Sequence, residues 1–141
     1  MAAGDVVREQ DAVYEGPFTD SGSGVTKGQV VYFNSGNICT ATASTDGPYA
    51  VTLETYSASA TDCRVLLEGT VYLTASGSIT KGTRVSAAAA GKVAVYAKEV
   101  VTSSPTQADV ENVQDKILRV VGRALDTATD GNTLRVKLGG F

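Results

Sequence analysis

The side chains that most often perform chemistry are scarce in this chain of 141 residues. It contains no histidine, which removes Ser-His-Asp and Cys-His arrangements and most zinc sites. Its two cysteines, Cys39 and Cys63, are far from any Cys-x-x-Cys spacing, and neither has a base beside it in the sequence. Two such cysteines in a chain without a secretory signal are more often reduced than paired. A thiol enzyme is therefore not expected.

Carboxylates are the next candidates for chemistry. Asp126 with Asp130, or Asp109 with Glu111, are spaced closely enough to suggest the paired acids of a glycosidase. Both pairs lie in polar, turn-like segments, where such charges are normally solvated. The segment 126–131 also lacks the alternating ligands and the closing glutamate of a calcium loop. We expect no catalytic residue, no cofactor and no metal site, and hence no enzyme.

The sequence contains one phrase twice, at Val25–Val31 and again at Ile79–Val85. Each copy follows a Ser/Gly cluster and contains Lys-Gly. A lysine at a hairpin tip can carry a covalent cofactor, but biotinyl domains place methionine beside it, and the only methionine here is Met1. The simpler interpretation is that Gly28 and Gly82 supply a positive φ and that the lysines are solvated. A repeated strand–turn–strand phrase without catalytic residues indicates a scaffold that binds.

Composition narrows the classes of partner. The formal net charge is −3 and the isoelectric point is about 4.8. Such a chain lacks the clustered Lys and Arg that phosphate binding needs, so no nucleic-acid partner is expected. It has no basic stretch for an anionic membrane and no apolar run near the ~18 residues of a membrane span. Met1–Gln10 has acidic residues and no apolar centre, so it is not a signal peptide and synthesis in a cytoplasm is expected.

From Ala12 onward the pattern is typical of β-strands separated by turn residues. Gly69 interrupts the longest candidate strand and indicates a bulge or a corner of the sheet. Asp130-Gly131 predicts a hairpin between the last two candidates. The candidates are Val30–Phe33, Ala50–Tyr56, Arg64–Leu73, Arg84–Ser86, Lys92–Tyr96, Leu118–Leu125 and Thr133–Leu138. We predict a mostly β fold, a small antiparallel β-barrel or sandwich.

The domain prediction is an extended N-terminal arm, residues 1–11, followed by a single β domain, residues 12–141. A further echo, of Tyr14–Phe18 in Leu67–Val71, suggests two related halves, about 13–66 and 67–120. A polar, acidic segment near 104–117 interrupts the β pattern. Ser104 is a candidate cap there, and Val110, Val113 and Ile117 are spaced for one helical face, so a short helix and a surface loop both remain open.

Taken in order, several of these segments resemble the capsid cement, or head decoration, proteins of tailed bacteriophages and related viruses. The resemblance covers most of the chain, and Ser103–Lys116 departs from it as an apparent insertion. Its motifs are individually ordinary hairpin sequences, and their order and spacing carry the similarity. They are Gly4–Val7, Gly24–Val31, Val65–Leu73, Thr80–Val85, Gly91–Val93, Val121–Leu125 and Asp130–Leu138.

The resemblance implies a structural virion protein on the capsid exterior that stabilises the expanded shell by bridging major capsid proteins. Its implied partners are the major capsid protein and itself, as a homotrimer. We expect the arm residues Gly4, Asp5, Val6, Val7 and Arg8 to contact the capsid by adding a strand to an exposed sheet edge. The alternatives are another virion β-module, in a tail or head fibre, or a small sugar- or peptide-binding β-barrel.

Overall fold

A computed structural model describes residues 1–97, 103–104, 106–117 and 119–139. Short 3-10 helices at Glu9–Asp11 and Ala89–Gly91 and one α-helix, α1 (Gln107–Ile117), accompany the strands. The nine strands within the described residues are β1 (Val13–Phe18), β2 (Val30–Asn34), β3 (Asn37–Thr40), β4 (Tyr49–Thr52), β5 (Cys63–Thr74), β6 (Arg84–Ala87), β7 (Val93–Val95), β8 (Val120–Ala124) and β9 (Thr133–Leu138). The prediction of a mostly β fold is confirmed.

All strand pairs are antiparallel, and they form one curled sheet, a half-barrel. The order along the sheet is β3-β2-β4-β5-β9-β8-β6-β7, and β1 also pairs with β5. β5 is the longest strand, as the sequence predicts. Its first part pairs with β1 and β4, and its second part pairs with β9.

Gly69 marks the division of β5 between these two sets of partners. Its φ is +130°, and a Cβ added there would lie 3.3 Å from Cα of Ala12. The register between β1 and β5 shifts close by, between Val13 and Tyr14. A residue with a side chain fits this positive φ and close approach poorly, which explains a glycine within a long strand. The glycine predicted to mark a bulge or a corner therefore lies where β5 changes partners.

The pairing pattern is the same on both sides of β5. β2 pairs with β3 and β4, and β4 pairs with β5; likewise β6 pairs with β7 and β8, and β8 pairs with β9. β1 pairs with the first part of β5, and in the same way the second part of β5 pairs with β9. β5 thus ends one unit and begins the next. This supports the proposal of two related halves, with the second continuing past residue 120 to Leu138.

The spacing of equivalent residues shows where the second unit is longer. Thr55 and Thr127 are equivalent, because each accepts a hydrogen bond from the lysine N–H of one copy of the repeated phrase. They are farther apart in the sequence than the two lysines, Lys27 and Lys81. The extra length lies between β7 and β8, the connection that contains α1. Of the two alternatives for this segment, the helix is the one that forms. Its first turn is fixed by Thr106, whose N–H donates to Oδ2 of Asp109 (2.8 Å), and not by Ser104.

Two predicted boundaries differ from the structure for a common reason. β4 ends at Thr52, not at Tyr56, because Oγ1 of Thr52 donates to the carbonyl of Thr26 (2.6 Å) and the chain then turns away. β8 and β9 do pair as predicted. A tight turn forms at Asp130-Gly131, where the N–H of Asn132 donates to the carbonyl of Thr129 (3.1 Å), but it is only one part of a wider connection, residues 125–132. In both cases the residues that leave the strand bond instead to a copy of the repeated phrase.

Most of the core is one cluster that draws on both halves. Val30 and Val51, paired across β2 and β4, are fully buried in this cluster. Their counterparts in the second unit, Arg84 and Arg123, are paired across β6 and β8 and are exposed. The face of the first unit that contains Val30 and Val51 is therefore packed against the second unit. The corresponding face of the second unit is charged and exposed to solvent. This exposed, charged face resembles the polar outer face of the terminal repeat in a stacked-repeat protein.

Candidate functional site

The N-terminal segment lies on the second part of β5 of its own chain. Gly4 donates its N–H to the carbonyl of Tyr72 (2.7 Å), and Tyr72 donates back to the carbonyl of Asp5 (3.0 Å). Val7 donates to the carbonyl of Thr70 (2.9 Å). β9 occupies one edge of this part of β5, so the segment pairs with the other edge. An edge left open would present unpaired backbone groups, which explains why the segment folds back.

The same segment covers the first copy of the repeated phrase. A Cβ added to Gly28 would lie 2.5 Å from Cβ of Ala3, and one added to Gly4 would lie 2.7 Å from Cγ of Lys27. Nζ of Lys27 donates to Oδ1 of Asp5 at 2.7 Å. Only residues without a Cβ allow the two backbones to approach this closely.

Hydrogen bonds lower the pKa of Asp5, first from the side chain of Lys27 and then from the N–H of Ala2. Val6 packs on the main core. Val7 is 38% exposed, and Arg8 forms a solvent-facing ion pair with Asp11 (3.7 Å).

The structure therefore brings all five predicted arm residues to one edge of the sheet. Gly4, Asp5 and Val6 are engaged within the chain, and Val7 and Arg8 face outward. Their contact with a neighbouring subunit stays a prediction.

The two copies of the phrase form the same structure, which we call the first turn (Val25–Gly28) and the second turn (Ile79–Gly82). Gly28 and Gly82 have φ values of +82° and +90°, as their predicted role requires. Each turn bonds to a segment that follows a strand. The matched bonds are Lys27 N–H to Thr55 Oγ1 (3.1 Å) and Lys81 N–H to Thr127 Oγ1 (3.0 Å), with Gly28 N–H to Thr52 O (2.8 Å) and Gly82 N–H to Ala124 O (2.8 Å).

These partner segments were not recognised from the sequence. They read Leu53-Glu54-Thr55 and Leu125-Asp126-Thr127, so leucine, an acidic residue and threonine recur in the same order. A search for this short pattern at a variable offset finds them. The fixed offset that identifies the two turns does not.

The carboxylates suspected of chemistry have structural roles. Asp126 accepts hydrogen bonds from Nε (2.9 Å) and Nη2 (2.7 Å) of Arg135, and these bonds lower the pKa of Asp126 to about 2. Oδ1 of Asp130 accepts from the N–H of Gly77 (2.8 Å). Oδ2 of Asp109, in the first turn of α1, accepts from the N–H of Thr106.

A row of basic side chains crosses the exposed face of the second unit. Arg84 on β6 is directly opposite Arg123 on β8, and Arg123 is directly opposite Lys137 on β9. Adjacent strands are only about 4.8 Å apart, so three like charges lie close together. All three residues are exposed. Separate in sequence, they become a patch only through strand register.

A groove of about 640 Å³ is lined jointly by the N-terminal segment, by Lys27 of the first turn and by neighbouring residues of the sheet. Its charged lining residues are of both signs: Asp5, Glu9, Lys27, Glu54 and Arg64. Such a lining suits a polar chain better than an apolar ligand.

The cysteines do not pair with each other: Cys63 is buried and Cys39 is half-buried. Burial is the main cause that raises the pKa of Cys63. Within the described ranges, no three His, Cys, Asp or Glu side chains cluster as metal ligands. No helix among those residues is long and apolar enough to cross a membrane.

The architecture defines the class: a curled, antiparallel β protein built from two similarly paired units that share a strand. No protein-family model matches the chain, and no curated protein matches its sequence. Among solved structures, it is similar to the crystal structure of the N base of head fibre gp8.5 from bacteriophage phi29. The TM-score is 0.59 at 17% identity, over 91% of this chain and 94% of that one. The similarity establishes the fold.

Proposed function

We propose that this chain is a structural component of a bacteriophage particle that attaches to the outer surface of the capsid. The observation that carries the proposal is the fold, which matches a phage head fibre base over nearly the full length of both chains. The order of the sequence motifs, which resembles capsid cement proteins, supports the same class of function. Function is inferred here from likeness and not from a reactive site.

The proposed role is to stabilise the expanded shell by bridging neighbouring major capsid proteins, with the chain acting as a homotrimer. A protein that binds only the expanded geometry stabilises it by mass action, and many copies add many such terms. The N-terminal segment is the proposed contact. It already pairs with β5 through backbone hydrogen bonds, and Val7 and Arg8 on it remain exposed.

The second candidate is a head fibre component, and the identity of the structural neighbour favours it directly. We expect a head fibre component to attach to the head in fewer copies than a shell-wide cement protein. The two candidates share a location and differ in stoichiometry.

The test is the copy number of this chain in purified virions, relative to the major capsid protein. A ratio near one supports a shell-wide cement protein, and a handful of copies supports a fibre. Complete absence overturns the virion proposal and favours the sugar- or peptide-binding alternative.

The contact itself is tested with the double variant Val7→Asp, Arg8→Ala, which leaves the backbone pairing with β5 in place. We expect weaker binding to expanded capsids and an unchanged melting temperature. Undiminished binding would remove these two residues from the proposed contact.

A further inference from the structure

The two repeated turns have the same geometry but different surroundings. Gly28 of the first turn is buried, and Gly82 of the second turn is exposed. Apart from Gly82 itself and its two chain neighbours, no atom of the described residues lies within 4 Å of a Cβ added to Gly82. One turn is covered, and its structural equivalent is open.

The N-terminal segment covers the first turn through three consecutive residues. Two small residues, Ala3 and Gly4, lie directly on Gly28, and the carboxylate that follows them, Asp5, pairs with Lys27. The first turn therefore displays a binding mode for an extended segment: small, small, acidic. It combines close backbone packing with one charge-assisted hydrogen bond.

The second turn retains the elements that this binding mode requires. Lys81 occupies the position of Lys27 and is exposed. Asp126, in the segment that supports the second turn, is held by both Nε and Nη2 of Arg135, and the exposed Lys81 is available for a further anion. Arg84, two residues beyond Gly82, begins the basic row and adds positive charge nearby.

We propose that the second turn binds an extended segment of another protein in the way that the first turn holds Ala3–Asp5. A small residue lies on Gly82, and the carboxylate that follows it pairs with Lys81. This binding goes beyond the attachment through the N-terminal segment and does not depend on it. Because the second turn lacks the additional pairing with β5, we expect a short peptide to bind with a dissociation constant near 1 mM.

The experiment is an NMR titration of the ¹⁵N-labelled full chain with a synthetic peptide of the sequence Ala2–Arg8. We expect saturable shifts of the amides of Thr80–Thr83. A peptide with Asn at the position of Asp5 should bind several-fold more weakly, since it lacks the charge. The variants Lys81→Ala and Gly82→Ala should lose the response.

The control variant is Gly36→Ala, because Gly36 has a similar positive φ (+82°, compared with +90° for Gly82) and equally open surroundings away from the second turn. It should respond as the unmodified chain does. Absence of shifts at Thr80–Thr83 at millimolar peptide, or an undiminished response in Gly82→Ala, overturns the proposal. Shifts at the first turn alone mean exchange with the chain's own segment and overturn it as well. No capsid is used, so failure here leaves the proposed virion role unaffected.

Discussion

At the scale of single residues, the ion pair of Asp126 and Arg135 joins β9 to the segment that supports the second turn. The pKa of Asp126, about 2, is below the value of about 3.9 for an unfolded chain. A lowered pKa contributes stability above the unfolded value, and this stability is lost as the pH falls from about 4 to about 2. The carboxylate is 35% exposed, so solvent screening reduces the contribution.

We therefore expect Asp126→Asn to lower the free energy of unfolding by roughly 1 kcal/mol at pH 7 and to have little effect at pH 2. Urea unfolding from pH 2 to pH 7 measures the difference. Asp62→Asn, at an exposed carboxylate, is the control. An equal loss at both ends of the pH range would contradict the assignment to this ion pair.

At the scale of elements, the like charges across β6, β8 and β9 oppose their own pairing. Directly opposed pairs contribute about 0.2–1 kcal/mol, and here the sign is unfavourable. We expect Arg123→Glu to raise the free energy of unfolding by about 0.5 kcal/mol at low salt. Added salt should stabilise the unmodified chain more than the variant, because it screens the repulsion. The matched control, Lys92→Glu, makes the same charge change outside the row; an equal gain there would contradict the assignment to the like charges of the row.

The connection that contains α1 is a second prediction at this scale. The equivalent connection in the first unit, residues 41–48, joins its strands without a helix. Replacing residues 98–117 by a Gly-Ser linker as short as the connection in the first unit should abolish the helical circular dichroism. It should change the free energy of unfolding by less than about 1 kcal/mol, because loop length costs little. A chain that fails to fold would show that α1 stabilises the sheet.

The strands and turns also show most clearly which features could be predicted from the sequence and which could not. The corner at Gly69 and the two turns are local patterns, so they were predictable. The bonds from Gly4 and Val7 to β5 were not, because an edge-strand sequence is the same whether its partner is its own chain or a neighbour. The division into two related halves stays a proposal, and the strand pairing extends the proposed second half to Leu138 because the helical connection shifts the repeat offset. The basic row needs strand register, which composition does not contain.

At the scale of the whole molecule, the two units have no independent boundary. They share β5, and the face around Val30 and Val51 is buried by the second unit. We expect a single cooperative unfolding transition, with the most protected amides of both units exchanging at the same free energy. An isolated fragment of residues 12–68 should not fold, as judged by its NMR spectrum. A well-dispersed spectrum from that fragment would contradict the prediction.

The shared strand has a mechanical consequence. Two units that are joined by a flexible linker separate easily under tension, since only the single covalent connection carries the load. Here a force applied between the units is directed along β5, whose two parts are clamped by different neighbours on either side of Gly69. The load is distributed as shear over many hydrogen bonds at once, so the join between the units resists tension along its whole length.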